Sequence, residues 1–249
     1  MADTIGSQDV GGPADAPAVL TLTDSFELAV DGRRLPVPHS VERLLAYLAL
    51  AQASVLRTKL AGILWYDTPE ERAASNLRTA LWRLHKASAP LVCGESDRLT
   101  LSRDVSVDAN ELFDLTHRLI RGADNADLSR APLLASRCEL LPDWDEFWVV
   151  AERERFRLLR LQALESAAST LLDQRRPGDA LVVALAAVRS EPLRESAWRL
   201  VVRVHLHQGN LAEAVHAYNE YRSMMHEELR MAPSRLMQEL IAPIIPSSA

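Results

Sequence analysis

Between Ser75 and Lys86 the chain sets out residues whose chemistry is recognition of an anionic polymer. Advanced at ~100° per residue, Ala74, Leu77, Ala80, Leu81 and Leu84 fall on one side of a helix. Ser75, Thr79, Trp82, Arg83 and Lys86 fall on the other, flanked by Asn76 and Arg78. This outer set holds cations, hydroxyls and an amide, and no carboxylate. Cations neutralise phosphates, and short donors and acceptors match base edges, so the set suits the major groove of double-stranded DNA. A solvated basic helix face has the same composition, so the neighbouring segments decide. Arg57, Thr58 and Lys59 stand at the start of the preceding helical stretch, where side chains and backbone N–H groups suit phosphate. Trp82 has two readings: packing against a following hairpin or the second half of the chain, or apolar contact with a thymine methyl or a sugar. Arg98 lies in that hairpin and reads either as a minor-groove contact or as a free surface arginine.

Other reactive side chains form no comparable set. His205 and His207 are two apart and diverge on a helix, and His216 with Glu220 shares a face but lacks a third ligand, so no metal is expected. Asp143, Asp145 and Glu146 cluster beside Trp144 and Trp148, at the start of a long helix where carboxylates suit the dipole. Walker A, GxGxxG and HExxH patterns are absent, so neither an enzyme nor a cofactor is expected. Cys93 and Cys138 are too few for a disulfide framework and lack thiolate-stabilising neighbours.

The elements that position the basic face follow from pattern. Residues 1–18 are rich in Gly, Pro, Ala and Asp and read as a disordered tail. Val19, Leu20 and Leu22, then Phe26, Leu28 and Val30, read as strands, with Asp31-Gly32 as a turn and Leu35 to Val37 returning. Ser40 is placed to cap a helix buried through Val41, Leu44, Leu45, Leu48 and Ala49, with Arg43 where a Glu would complete a capping box. A short helix from about Arg57 to Leu64 or Trp65, a break at Asp67-Thr68-Pro69, and a helix from about Glu70 to Ala87 ended by Ala89-Pro90 follow. Leu91–Cys93, a Gly94–Asp97 turn and Leu99–Leu101 read as a hairpin. Strands, three helices and a hairpin make an OmpR-type winged helix-turn-helix over residues 19–108.

Residues 109–249 read as all-helical: 109–121, 129–140, 146–174, 178–190, 194–208, 211–228 and 234–241. Gly178-Asp179 with Ala180, Ala184 and Ala187 recurs about 31 residues on as Gly209-Asn210 with Ala214, Ala217 and Tyr218, the pattern of tetratricopeptide-like helix pairs. The fold class is therefore mainly α, with a small α+β winged helix first. Net charge is -6, which excludes a generally basic nucleic-acid binder. From Arg72 to Arg103, however, Arg72, Arg78, Arg83, Lys86, Arg98 and Arg103 face only Glu95 and Asp97, a local excess of +4, whereas residues 109–249 hold 17 bases and 20 acids. The apolar runs Leu44–Ala51 and Ala180–Val188 fall short of the ~20 residues of a membrane span, and no secretory pattern opens the chain, so no membrane partner and a cytoplasmic location are expected.

These residues carry a family likeness. Leu77–Lys86, LRTALWRLHK, resembles the recognition helix of the Streptomyces antibiotic regulatory protein (SARP) family. Leu140–Leu172, LLPDWDEFWVVAERERFRLLRLQALESAASTLL, and Glu191–Arg222, EPLRESAWRLVVRVHLHQGNLAEAVHAYNEYR, resemble its bacterial transcriptional activator domain. The resemblance covers about residues 19–242. It implies a transcriptional activator bound to promoter direct repeats, a helical domain aiding homodimerisation, contact with RNA polymerase through its sigma factor, and control of secondary-metabolite gene clusters. It also implies a short member without the NTPase and sensor modules of the large ones. Thr79, Arg83 and Lys86 match the family pattern directly. Arg78 and Trp82 stand where commoner members have Gln and Ser, and His85 replaces a frequent arginine. A helical-repeat scaffold binding only protein accounts for residues 109–245 but leaves the basic face without a purpose. A ligand-sensing regulator is the remaining alternative.

Overall fold

The computed structural model describes residues 18–87, 90–135 and 139–244. The expected tail (all but Ala18, the first strand residue), the helix stop at Ala89 and Cys138 lie outside the described residues. The chain divides into two compact units, one ending at Asp108 and one beginning at Ala109.

In the first unit, β1 (Ala18–Thr21), β2 (Glu27–Val30) and β3 (Arg33–Arg34) form an antiparallel meander, and β7 (Val105–Val107) runs parallel to β1, giving the order β3-β2-β1-β7. Asp31 and Gly32 both have positive φ, 54° and 69°, as a two-residue hairpin turn requires. Val30 therefore pairs directly with Arg33, and the return strand is Arg33–Arg34, not Leu35–Val37. Leu35 contributes only its N–H, to Leu28 O at 2.8 Å. Leu20, Leu22 and Leu28 are buried.

Helix α1 (His39–Ala51) buries Val41, Leu44, Leu45, Leu48 and Ala49, as the spacing predicts. It begins two residues early, after Pro38, so Ser40 lies inside it and is not its N-cap. His39 sits 2.9 Å from the Glu42 carboxylate. Arg43 instead reaches α2 (Arg57–Leu64) and donates to Leu64 O, where a cation complements the helix C-terminus. Helix α3 (Glu70–Ala87) buries Ala73, Leu77, Ala80 and Leu84. Ala73, not Ala74, completes that stripe, and Leu81 is half-buried. A second sheet joins β4 (Val55–Leu56), β5 (Val92–Glu95) and β6 (Arg98–Leu101) in the order β4-β6-β5. Its hairpin turn is only Ser96-Asp97, since Glu95 already pairs with Arg98. The first unit is thus a winged helix-turn-helix.

The second unit comprises α4 (Asp108–Arg121), α5 (Asn125–Arg130), a 3-10 turn (Ala131–Ala135), α6 (Phe147–Asp173), α7 (Pro177–Ser190), α8 (Glu195–His207), α9 (Leu211–Leu229) and α10 (Arg235–Ile241). The helix expected over 129–140 does not form. Asp124 caps α5 instead, accepting from Asp127 N at 2.8 Å, and Pro132, with no N–H to donate, falls where a longer helix would need one. Arg153 then fastens the following loop to α6, donating to Leu140 O at 2.8 Å, Trp144 O at 2.9 Å and Leu141 O.

Helices α6 to α9 pack sequentially, and α6 also meets α8. Buried positions of α6 recur 34 residues on in α8: Ala163 with Ala197, Leu164 with Trp198, Ala167 with Val201, Ala168 with Val202. Those of α7 recur at the same offset in α9: Ala180 with Ala214, Val183 with Ala217, Ala184 with Tyr218, Ala187 with Tyr221. The structural period is therefore 34, not the 31 that separates the glycines, and it marks two stacked helix pairs. The alanines among these positions let the helices approach closely, against larger partners such as Trp198, Tyr218 and Tyr221. α10 covers the open side of α8 and α9. Glu195 holds it there: its carboxylate accepts from Ser234 N at 2.7 Å and from Ser234 Oγ, and pairs with Arg199 at 3.1 Å. Burial, with Glu195 nearby, pushes the Tyr221 phenol up to about 12. No described helix is long and apolar enough to cross a membrane.

Candidate nucleic-acid interface

The residues singled out by pattern gather on one side of the winged helix. Ser75, Arg78, Thr79, Trp82, Arg83 and Lys86 are exposed along α3, and Asn76 is half-buried. The helix presents them because Leu77, Ala80 and Leu84 are held in the core on its opposite side. Thr58 and Lys59 are exposed on the first turn of α2. Among the described residues, Lys59, Arg78, Arg83 and Lys86 have no carboxylate partner. In the second unit half of the described arginines, Arg118, Arg153, Arg155, Arg157, Arg176, Arg194, Arg199 and Arg235, each pair with a carboxylate. In Arg194 the Glu165 carboxylate, accepting two hydrogen bonds, holds the guanidinium above its ordinary range. Unpaired cations can meet phosphate without first breaking an ion pair.

Three positions carry detail that pattern did not supply. Arg98 is not a free arginine: Nε donates to Ser54 Oγ at 2.9 Å and Nη2 to Ser54 O at 2.7 Å. It fastens the hairpin to the segment before α2. Arg57 donates its backbone N–H to Asp97 O at 2.8 Å, so one donor at the start of α2 is occupied by the hairpin turn. Its guanidinium lies over Gly94, where an added Cβ would meet Nη2 at 3.1 Å. Trp82 is 62% exposed and so is not packed away against the hairpin. The Lys86 ammonium sits 5.3 Å from its ring centroid. Thr79 Oγ1 donates to Ser75 O at 3.0 Å.

Between α3 and the hairpin lies a groove of about 400 Å³ with Arg57 and Arg78 on its lining, Trp82 and His85 beside them, and Leu91 and Leu99 among its apolar residues. Glu71 is exposed in the first turn of α3, one turn before Ser75 on the same line, so the outer face begins with a carboxylate that the sequence reading left out. The signal for Glu71 was present in the i, i+4 spacing. The signals for Ser54, Gly94 and Asp97 were not, because they depend on β4 pairing with β6. Among the described residues no cluster of His, Cys, Asp and Glu could hold a metal ion. His216 and Glu220 are exposed, and Asp143, Asp145 and Glu146 precede α6.

A winged helix-turn-helix with an exposed basic face on α3, followed by stacked helix pairs, is the architecture of this chain. Residues 118–245 match the bacterial transcriptional activator domain family, and the chain belongs to that family. It is 30% identical over 224 residues to the regulatory protein AfsR of Streptomyces coelicolor, an alignment covering 84% of this chain and 22% of that protein. Its fold is similar to that of Mycobacterium tuberculosis EmbR, solved in complex with a low-affinity phosphopeptide, with a TM-score of 0.72 at 16% identity, covering 91% of this chain and 64% of that one. The chain thus spans about a fifth of the curated relative and under two thirds of the solved one. The family is one of transcriptional regulators, which is not an enzyme class.

Proposed function

We propose that this activator binds promoter DNA through the outer face of α3 and recruits RNA polymerase. α3 enters the major groove. Lys59 and Arg83 meet phosphates, Lys86 lies over the Trp82 ring, and Ser75, Asn76, Arg78, Thr79 and Trp82 face base edges. Thr58 adds a hydroxyl at the start of α2. Arg57 and Arg98 set the hairpin beside the strand that passes between it and α3. The helical unit supports a homodimer on direct repeats and contacts the sigma factor. The protein works in the cytoplasm, and its targets are biosynthetic gene clusters. The observation that carries this reading is the outer face of α3, where Ser75, Arg78, Thr79, Trp82, Arg83 and Lys86 are exposed together and the three cations have no carboxylate partner among the described residues.

The test is selection of duplexes from random DNA with the full chain, followed by transcription in vitro from a promoter carrying the selected sequence. Enrichment of a defined sequence and a protein-dependent rise in transcript support the reading. Failure to enrich any sequence contradicts DNA recognition. Enrichment without activation contradicts polymerase recruitment alone.

A further inference from the structure

The centre of the α3 outer face is apolar, although its borders are cationic. Thr79 donates its hydroxyl proton to Ser75 O at 3.0 Å, so what it turns outward is a methyl group and oxygen lone pairs. Trp82 follows one turn later, 62% exposed. The Lys86 ammonium, 5.3 Å from the ring centroid, occupies one face of the indole and restrains it. Arg78 and Arg83 flank this pair on either side and are exposed. An exposed indole leaves apolar surface in water, and burying that surface against an apolar group is favourable. In the major groove the apolar group on a base edge is the C5 methyl of thymine, and apolar side chains and the threonine methyl are its natural contacts.

We propose, on the basis of the DNA-binding reading above, that the Thr79 methyl and the Trp82 ring together read the C5 methyl of a thymine in the recognised duplex. These two residues are the specificity determinants at that base pair, and the Thr79 hydroxyl is a bond within the helix with no base contact. Lys86 acts through Trp82 as a positioning residue.

The experiment uses duplexes enriched by the full chain from random DNA, with each thymine replaced in turn by deoxyuridine, which removes only the methyl. The wild-type chain loses affinity about fourfold at one or two positions, the equivalent of about 0.8 kcal/mol for one buried methyl-sized group. Thr79→Val keeps the methyl and drops the hydroxyl, and it retains that uracil penalty. Thr79→Ser keeps the hydroxyl and drops the methyl, and Trp82→Ala drops the ring; both lose the penalty. An enriched duplex that tolerates uracil everywhere overturns the inference and leaves the DNA-binding reading standing. A uracil penalty that survives in Thr79→Ser and Trp82→Ala, or disappears in Thr79→Val, also overturns it. If no duplex is enriched, the DNA-binding reading fails and this inference falls with it.

Discussion

Replacing Arg83 by Ala removes one exposed cation that has no carboxylate partner among the described residues. No ion pair is broken and no buried group is left unsatisfied, so the fold and its stability stay within about 0.5 kcal/mol of wild type. Binding changes through counterion release. Each phosphate neutralised contributes about 0.9 to the slope of log K against log salt, so the slope falls by ~0.9. At 0.1 M salt that corresponds to an affinity lower by about 8-fold, for selected and unselected duplexes alike. Arg157→Ala is the control, because that guanidinium already pairs with Glu154 at 2.8 Å and with Glu191. It leaves the slope unchanged. The assay is fluorescence anisotropy of a labelled duplex between 50 and 200 mM salt, on the order of the range where such slopes are measured. An Arg83→Ala slope equal to wild type removes Arg83 from the phosphate contacts. An equal fall in Arg157→Ala refutes the argument that pairing decides which cations meet DNA.

Glu195→Gln loosens α10 and lowers stability by about 1.5–3 kcal/mol, read by urea denaturation, because the carboxylate accepts from Ser234 and pairs with Arg199. Burial pushes the Glu195 carboxyl up, but Ser234 and Arg199 outweigh it, so its pKa lies below the ordinary 4.5. Its contribution is therefore complete above pH 4.5 and lost as pH falls through the lower folded value, so wild type and variant converge in acid. Arg98→Ala frees the hairpin from Ser54 and speeds amide exchange in β5 and β6 at least several-fold, whereas Arg98→Lys restores only part of the protection because it cannot donate from two nitrogens of a planar fork. Equal exchange in wild type and Arg98→Ala removes the bracing role.

The sequence was most legible where one period runs long. α3 could be bounded at Glu70 and Ala87 because Pro69 precedes it, its first turn is acidic and its apolar residues repeat at helix spacing. The same period placed the outer face correctly. β4 was invisible because two residues carry no alternation, and with it went the reason for Arg98's partner and for Arg57's occupied N–H. The helix expected over 129–140 misled for the opposite reason: Leu133 and Leu134 extend an apolar spacing through Pro132, where the chain turns to 3-10 geometry. The offset of the glycines is three short because they are not equivalent: Gly178 lies in the first turn of α7, whereas Gly209 lies in the turn before α9, whose counterpart 34 residues earlier is Arg175, with positive φ like Gly209; the packed positions, Ala180 and Ala214 among them, keep a constant offset. Thr79's hydroxyl reads from sequence as a base-edge donor; only the helix geometry shows it returned to Ser75.

Dimethyl sulfate protection of a duplex selected by the full chain addresses the central claim most directly, since guanine N7 is open only in the major groove. The account predicts protection of guanine N7 at saturating protein, reduced in an Arg78→Ala, Arg83→Ala double variant added to the same occupancy. Full occupancy of the duplex with every guanine N7 still reactive would place α3 outside the major groove and contradict the account.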